Sequence, residues 1–374
     1  MKILFAGGGT AGHINPALAV AGYIKERHPE AQLYYIGTKR GLESKLVPEA
    51  GVDFYTIDVE GFQRKLNFTN IKRNISAAGK LMSASKNARR LLLELKPDVV
   101  MGTGGYVSGP VLREAQKLGI KCCIHEQNAF AGKANKMLAP HMDAVMLAMP
   151  EAEKYFKLRS PAIVTGNPVR ESVINMKKDD ARRQLGLDSR PMILSFGGSL
   201  GARRINEAAA DIMQWHWQSG KYQHYHATGK YGTELMPQLL KERGVDINCP
   251  NLHITEYISN MDVLLAAADI VICRSGAITV SELMVQGKPS VLIPSPNVAE
   301  NHQYFNAMTL VSKGAAKLIE EKDLNAESIV KAVSEILENP DELNKMSRAA
   351  KACAITDTNE RIYRVIMDLY LSKD

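Results

Sequence analysis

Residues 7–13, Gly7-Gly8-Gly9-Thr10-Ala11-Gly12-His13, gather a glycine cluster, a hydroxyl and an imidazole between the apolar run Ile3-Leu4-Phe5-Ala6 and the helix-forming stretch Pro16 to Ala21. That order predicts a strand, a glycine turn and a helix. Glycine lets the backbone turn sharply and approach a ligand closely, while the first N–H groups of the helix and the positive end of its dipole favour an anion. A phosphate is the expected guest. Gly7, Gly9 and Gly12 also fit the G-x-G-x-x-G spacing of a dinucleotide site. The carboxylate that should accompany that site is missing, because the next apolar run, Gln32 to Ile36, ends in Gly37-Thr38-Lys39 rather than in an acid. His13 stands where the helix dipole favours a neutral ring, which either accepts a proton or merely caps the loop.

The same arrangement recurs along the chain. Pro191 to Phe196 runs into Gly197-Gly198-Ser199-Leu200-Gly201 ahead of a helix from about Arg204, and Ile270 to Cys273 runs into Arg274-Ser275-Gly276 ahead of a helix carrying Glu282. A carboxylate two turns into such a helix can accept from two vicinal ribose hydroxyls, or it can simply be solvated. Asp98 to Met101 leads into Gly102-Thr103-Gly104-Gly105-Tyr106-Val107-Ser108-Gly109-Pro110, and the run Cys122 to His125 ends in His125-Glu126-Gln127-Asn128.

These loops need strands to hold them. Strands are expected at Val52 to Asp58, Val99 to Met101, Ala144 to Leu147, Gln223 to Ala227, Leu252 to Thr255 and Ser290 to Ile293, alternating with helical stretches. Such alternation predicts α/β architecture: doubly wound parallel sheets whose loops share the carboxyl edge. We expect two Rossmann-like domains facing each other across a cleft, with residues 1–166 plus 354–374 in one and 167–353 in the other. The helical pattern Ile362, Val365, Ile366, Leu369 and Tyr370 should pack back onto the first domain.

At 374 residues the chain has room for two cores. It has no apolar run near the ~20 residues of a membrane helix and no signal peptide pattern, which predicts a cytoplasmic protein. The five cysteines lack C-x-x-C spacing, so reduced thiols are expected rather than a zinc or disulfide framework. The net charge of +7 is unevenly held: residues 1–168 carry an excess of nine positive charges and the remainder an excess of two negative ones. Nine cations and one acid fall between Gly61 and Lys96. An anionic partner follows, either membrane lipid or nucleic acid.

Six stretches in order, Gly7 to Ala19 (GGGTAGHINPALA), Gly104 to Pro110 (GGYVSGP), His125 to Asn128 (HEQN), Gly166 to Arg170 (GNPVR), Gly197 to Ala202 (GGSLGA) and Cys273 to Glu282 (CRSGAITVSE), resemble the bacterial MurG family. The resemblance spans nearly the whole chain. It implies a GT-B glycosyltransferase that moves N-acetylglucosamine from UDP-GlcNAc to lipid I, the undecaprenyl-linked muramyl-pentapeptide, and makes lipid II for peptidoglycan. The acceptor would be held mainly by the first domain and UDP by the second. Donor contacts are implied for Thr10, Ala11, Gly12, Asn128, Arg170, Ser199, Ile258, Ala277, Ile278, Thr279, Val280, Ser281, Glu282 and Gln303. Among these, Glu282 would clamp the ribose, Ser199 and the helix start at Ala277 would hold phosphate, and Asn128 and Gln303 would meet the sugar.

With that family in view, His13 is the expected general base, or the group that orients the attacking C4 hydroxyl, in one inverting displacement. Gly104, Gly105, Tyr106, His125 and Glu126 are the acceptor-side candidates, with His125 and Glu126 as alternative bases. The chain has no D-x-D motif, and neither a metal nor another cofactor is expected. Two positions depart from the family: Ala11 and Leu200 stand where glycine and glutamine are common. Ala11 is compatible unless its φ is positive, and Leu200 removes a polar side chain beside Ser199. The basic stretch 62–93, with Phe62, Leu66, Phe68, Ile71, Ile75, Leu81 and Met82 among its cations, is expected on the anionic cytoplasmic face of the cell membrane, where wall-synthesis proteins are possible further partners. A UDP-GlcNAc 2-epimerase would share the donor site. A nucleic-acid binder is disfavoured by the lack of RRM, KH or C2H2 patterns.

Overall fold

The computed structural model describes residues 1–59 and 68–372, with the side chains of 68–78 outside the description. The expectations for Phe62, Arg64, Lys65 and Leu66, and for the side chains of Phe68, Ile71, Lys72, Arg73 and Ile75, therefore lie outside the described residues. The chain divides into two compact units, Met1–Pro168 with Asp357–Asp374, and Val169–Thr356.

The first unit is a seven-stranded sheet of β1 (Lys2–Gly7), β2 (Gln32–Gly37), β3 (Asp53–Thr56), β4 (Val99–Gly104), β5 (Lys121–Glu126), β6 (Ala144–Leu147) and β7 (Ile163–Val164), in the order β3-β2-β1-β4-β5-β6-β7. Every neighbouring pair is parallel. A parallel sheet buried on both faces needs apolar residues at successive positions, and the strands supply them: Leu4, Ala6, Val100, Cys122 and Ile124 enter one core, while Ile3, Phe5, Val99, Met101 and Cys123 enter the other. The helix Thr358–Leu371 closes the second of these cores with Ile362, Val365 and Ile366.

The second unit repeats the plan in six parallel strands, β8 (Met192–Phe196), β9 (Gln223–Ala227), β10 (Leu252–Thr255), β11 (Ile270–Cys273), β12 (Ser290–Leu292) and β13 (Ala316–Leu318), ordered β10-β9-β8-β11-β12-β13. In both sheets the order reverses beside the first strand, between β1 and β4 and between β8 and β11. The loops leaving those four strands are the glycine-rich ones. A crevice at the carboxyl edge of such a switch point is where open α/β sheets take ligands. Two strands escaped sequence reading, β7 and β13; with two and three residues they are too short to show a pattern.

Among the described residues no helix is long and apolar enough to cross a membrane. All five cysteines are free thiols, three of them buried.

Candidate active site

In the first unit the candidates meet at the ends of β1, β4 and β5. The opening loop turns into the helix Ala11–Arg27, with Thr10 at its N-cap. The N–H groups of His13 and Ile14 donate to Thr10 O at 3.0 and 3.3 Å. Ala11 does not fall in the left-handed region, so the family's glycine is not required there. The second loop packs directly on the first: a Cβ at Gly104, φ +107°, would lie 2.9 Å from His13 Nδ1, and one at Gly105, φ +80°, would run into Gly8 O. Side-chain-free backbone at these two positions is what lets the imidazole and the loops close up. Ser108 secures the turn, accepting from Gly104 N–H at 3.0 Å and donating to Ala6 O at 2.7 Å. Tyr106 is exposed.

The end of β5 is built differently from the sequence expectation for its acid. Glu126 is buried and its carboxylate is occupied by its own loop: Oε1 accepts from Asn128 N–H and Nδ2, and Oε2 from Gly132 N–H and Asn135 Nδ2, at 2.9–3.2 Å. His125 is fully buried, with Nε2 2.9 Å from Gly166 O, and burial pushes its pKa down. His13 is half-buried, and its Nδ1 lies 3.0 Å from Gln127 Oε1.

Two residues that sequence reading passed over hold this site. Glu43, 0% exposed, reaches under the opening loop to accept from Gly9 N–H, and Gln127, 1% exposed, reaches between the two histidines. Gln127 lay inside a motif already singled out. Glu43, 34 positions from Gly9, carried no local signal.

In the second unit Gly197 to Ala202 leads into the helix Arg203–His216, leaving Ser199 and Leu200 exposed at the turn. After β11, Gly276 is the N-cap of the helix Ala277–Gln286 and has no side chain to cap it. A helix start of that kind presents N–H groups and dipole to an anion. Ser275, 0% exposed, donates to Gln303 O at 2.7 Å, while Gln303 Oε1 accepts from Ser295 N–H at 2.9 Å, so Gln303 ties the loops after β11 and β12 together. Glu300 and Asn301, both left-handed at φ 57° and 50°, lead into the helix His302–Val311 that carries it.

Glu282 is 14% exposed and 3.6 Å from Arg170, so it is not the solvated residue its position also allowed. Burial pushes its carboxyl pKa up, against the opposing pull of Arg170. Val280 and Ser281 are buried, Ala277, Ile278 and Thr279 half-buried, and Ile258 is buried just past β10. Among the described residues no group of three or more His, Cys, Asp or Glu side chains is placed to hold a metal ion.

Models of the glycosyltransferase family 28 N-terminal and C-terminal domains match residues 3–147 and 192–362. The curated UDP-N-acetylglucosamine–N-acetylmuramyl-(pentapeptide) pyrophosphoryl-undecaprenol N-acetylglucosamine transferase of Acetivibrio thermocellus is 42% identical over 374 residues, 100% of this chain and 99% of its own. Its namesake in Ruminiclostridium cellulolyticum is 44% identical over 372 residues, 99% of this chain and 100% of its own. The crystal structure of MurG from Acinetobacter baumannii matches with a TM-score of 0.81 at 29% identity, covering 98% of this chain and 99% of that one. With two Rossmann-like domains of the GT-B type, the chain belongs to glycosyltransferase family 28, in its MurG branch.

Proposed function

We propose that the protein transfers N-acetylglucosamine from UDP-GlcNAc to the C4 hydroxyl of the muramyl sugar of lipid I, giving lipid II and UDP in peptidoglycan synthesis. The observation that carries this reading is the full-length likeness, at 42–44% identity, to curated enzymes of that name. The first unit, Met1–Pro168 with Asp357–Asp374, takes the acceptor, and the second, Val169–Thr356, takes UDP.

In the second unit Glu282 accepts from the ribose hydroxyls, and the partial burial of its carboxylate makes those bonds stronger than they would be in water. The helix start at Ala277 and the Ser199 loop hold the diphosphate, Arg170 adds a cation beside them, Ile258 lines the site and Gln303 meets the sugar. In the first unit Thr10, Ala11, Gly12 and Asn128 border the donor sugar, and Gly104, Gly105 and Tyr106 border the acceptor. His13 Nε2 takes the proton of the C4 hydroxyl as that oxygen bonds to the anomeric carbon. The carbon–oxygen bond to UDP breaks with its electron pair on the β-phosphate, and the anomeric centre inverts. Fixed N–H donors aimed at the diphosphate stabilise that growing charge. The internal engagement of His125 and Glu126 supports a scaffolding role for both.

The exposed residues Met82, Lys86, Arg89, Arg90 and Leu93 on the helix Phe68–Leu95 support docking on anionic lipid at the cytoplasmic face of the membrane, where the acceptor lies. The test is incubation with radiolabelled UDP-GlcNAc and a lipid I analogue. Label transferred to the analogue is the expected result. Conversion of UDP-GlcNAc alone to its 2-epimer, without transfer, would replace the reading with an epimerase.

A further inference from the structure

The amide of Gln127 lies in a chain of polar groups whose direction can be worked out atom by atom. His125 Nε2 is 2.9 Å from Gly166 O. A carbonyl oxygen only accepts, so Nε2 carries the hydrogen, and in a neutral ring Nδ1 is then a bare acceptor. Full burial keeps that ring neutral, since the charged form loses its hydration. Gln127 Nε2, 3.1 Å away, donates to this Nδ1, and it also lies 3.0 Å from His125 O. Both of these neighbours are acceptors, so the amide nitrogen, not the oxygen, must face His125. The oxygen then faces His13 Nδ1 at 3.0 Å. An amide oxygen cannot donate, so His13 Nδ1 carries the hydrogen and Nε2 holds the lone pair.

The amide has little freedom to turn over. Gln127 is 1% exposed, and its backbone carbonyl accepts from Asn167 Nδ2 at 3.0 Å, while Asn135 Nδ2 donates to His125 O at 3.3 Å. A flipped amide would set its oxygen against the lone pair of His125 Nδ1 and against His125 O, two acceptors facing a third. On the other side, Gly104 leaves room for the imidazole where a Cβ would crowd Nδ1.

We propose that Gln127 is a positioning residue: through the fixed hydrogens of His125 it holds His13 in the Nδ1–H tautomer and so keeps Nε2 free to accept the acceptor's hydroxyl proton. The inference rests on the catalytic reading of His13 given above and adds what makes that ring a base on the correct nitrogen. A wrong tautomer would present an N–H to the nucleophile and block the proton transfer.

Histidine nitrogen NMR of 15N-labelled full-length protein, with the His13 signals identified by their loss in His13→Gln, reads the tautomer without turnover. The expected result is a pyrrole-like Nδ1 and a pyridine-like Nε2 for His13, with the preference lost in Gln127→Met. In the transfer assay Gln127→Met should lower kcat by roughly 10-fold to 10²-fold, with the KM for UDP-GlcNAc within about threefold. Gln127→Glu keeps the acceptor for Nδ1–H and adds a charge that favours the imidazolium, so it should recover part of kcat at high pH and move the acid limb of the pH–rate profile upward by about one unit. An Nε2–H tautomer in the unmodified protein, or an unchanged kcat in Gln127→Met while His13→Ala is inactive, overturns this proposal alone. Near-normal turnover in His13→Ala overturns the catalytic reading beneath it, in which case the NMR result still decides the tautomer.

Discussion

Glu43 Oε2 accepts the backbone N–H of Gly9 at 3.3 Å, which hangs the opening glycine loop on a carboxylate that begins another helix, Glu43–Glu49. Its Oε1 accepts from Thr38 N–H at 3.0 Å and from the Thr38 hydroxyl at 2.7 Å. Burial raises the carboxyl pKa, and the Thr38 hydroxyl with the backbone donors more than offsets that, leaving it below the ordinary value. Glu43→Ala removes the shared acceptor of these partly exposed donors and should cost roughly 2 kcal/mol, with a lower transfer rate because the His13 loop loses its prop. For a lowered carboxyl the stabilisation is present above the unfolded pKa of about 4.3 and is lost as pH falls through the folded value. The gap between the thermal melts of the protein and of Glu43→Ala should be full at pH 7 and narrow only as pH falls below about 4, through the lowered folded pKa.

Glu282 should matter for binding more than for chemistry. Two ribose hydroxyls bonded to one carboxylate are together worth about 3 kcal/mol, so Glu282→Ala should weaken UDP binding by roughly 10²-fold in calorimetry while kcat at saturating donor changes little. Equal UDP affinity in the two proteins removes the ribose role.

Across β8 and β9 runs a buried chain in which His216 Nε2 is 3.2 Å from His224 Nδ1, His224 Nε2 is 2.8 Å from Ser195 Oγ, Ser195 Oγ is 2.7 Å from His226 Nδ1, and His226 Nε2 is 3.1 Å from Asn206 Oδ1. Burial pushes the pKa of His216 and of His226 down to about 4, and that of His224 well below its ordinary value. These rings bind protons in the unfolded chain below about pH 6.5 but not in the folded one, so stability is full above that pH and falls as pH drops toward 4. At pH 5.5 each ring should cost about 1.4 kcal/mol. Calorimetric scans from pH 7.5 to 4.5 should show a steep fall in melting temperature, reduced when His224 is replaced by Leu together with Ser195→Ala.

The helix Phe68–Leu95 buries Ala84, Ala88, Leu91, Leu92 and Leu95 and turns outward Met82, 77% exposed, and Leu93, 53% exposed, beside Lys86 and Arg90. Each cation near an anionic surface contributes about 1 kcal/mol, so Lys86→Ala with Arg90→Ala should weaken binding to anionic vesicles by about 30-fold at low salt. Co-sedimentation indifferent to lipid charge and salt would remove the membrane reading.

In the proposed mechanism the leaving-group charge is met by backbone N–H groups at the start of the helix Ala277–Gln286 and in the Ser199 loop, and by Arg170, none of which depends on a metal ion. Turnover should therefore survive EDTA. A loss of activity restored by added magnesium would show that the diphosphate needs a metal.

The local pattern carried much of this protein. Apolar runs closed by glycine, then helical spacing, located eleven of the thirteen strands among the described residues, the glycine loops and the terminal helix, because backbone turns and two-sided burial impose their demands on adjacent residues. The same locality put His13 on a helix start and Glu282 two turns into another. The glycine stretch at residues 7–13 did not reveal by itself which nitrogen of His13 is basic, nor what holds its loop. Those depend on Gln127, 114 positions away, and on Glu43, 34 positions from Gly9, joined to it only when β1, β2, β4 and β5 line up. A buried amide or carboxylate has no periodic signature in sequence; its role is set by the donors and acceptors that folding brings within hydrogen-bond reach, and only the tertiary structure supplies them.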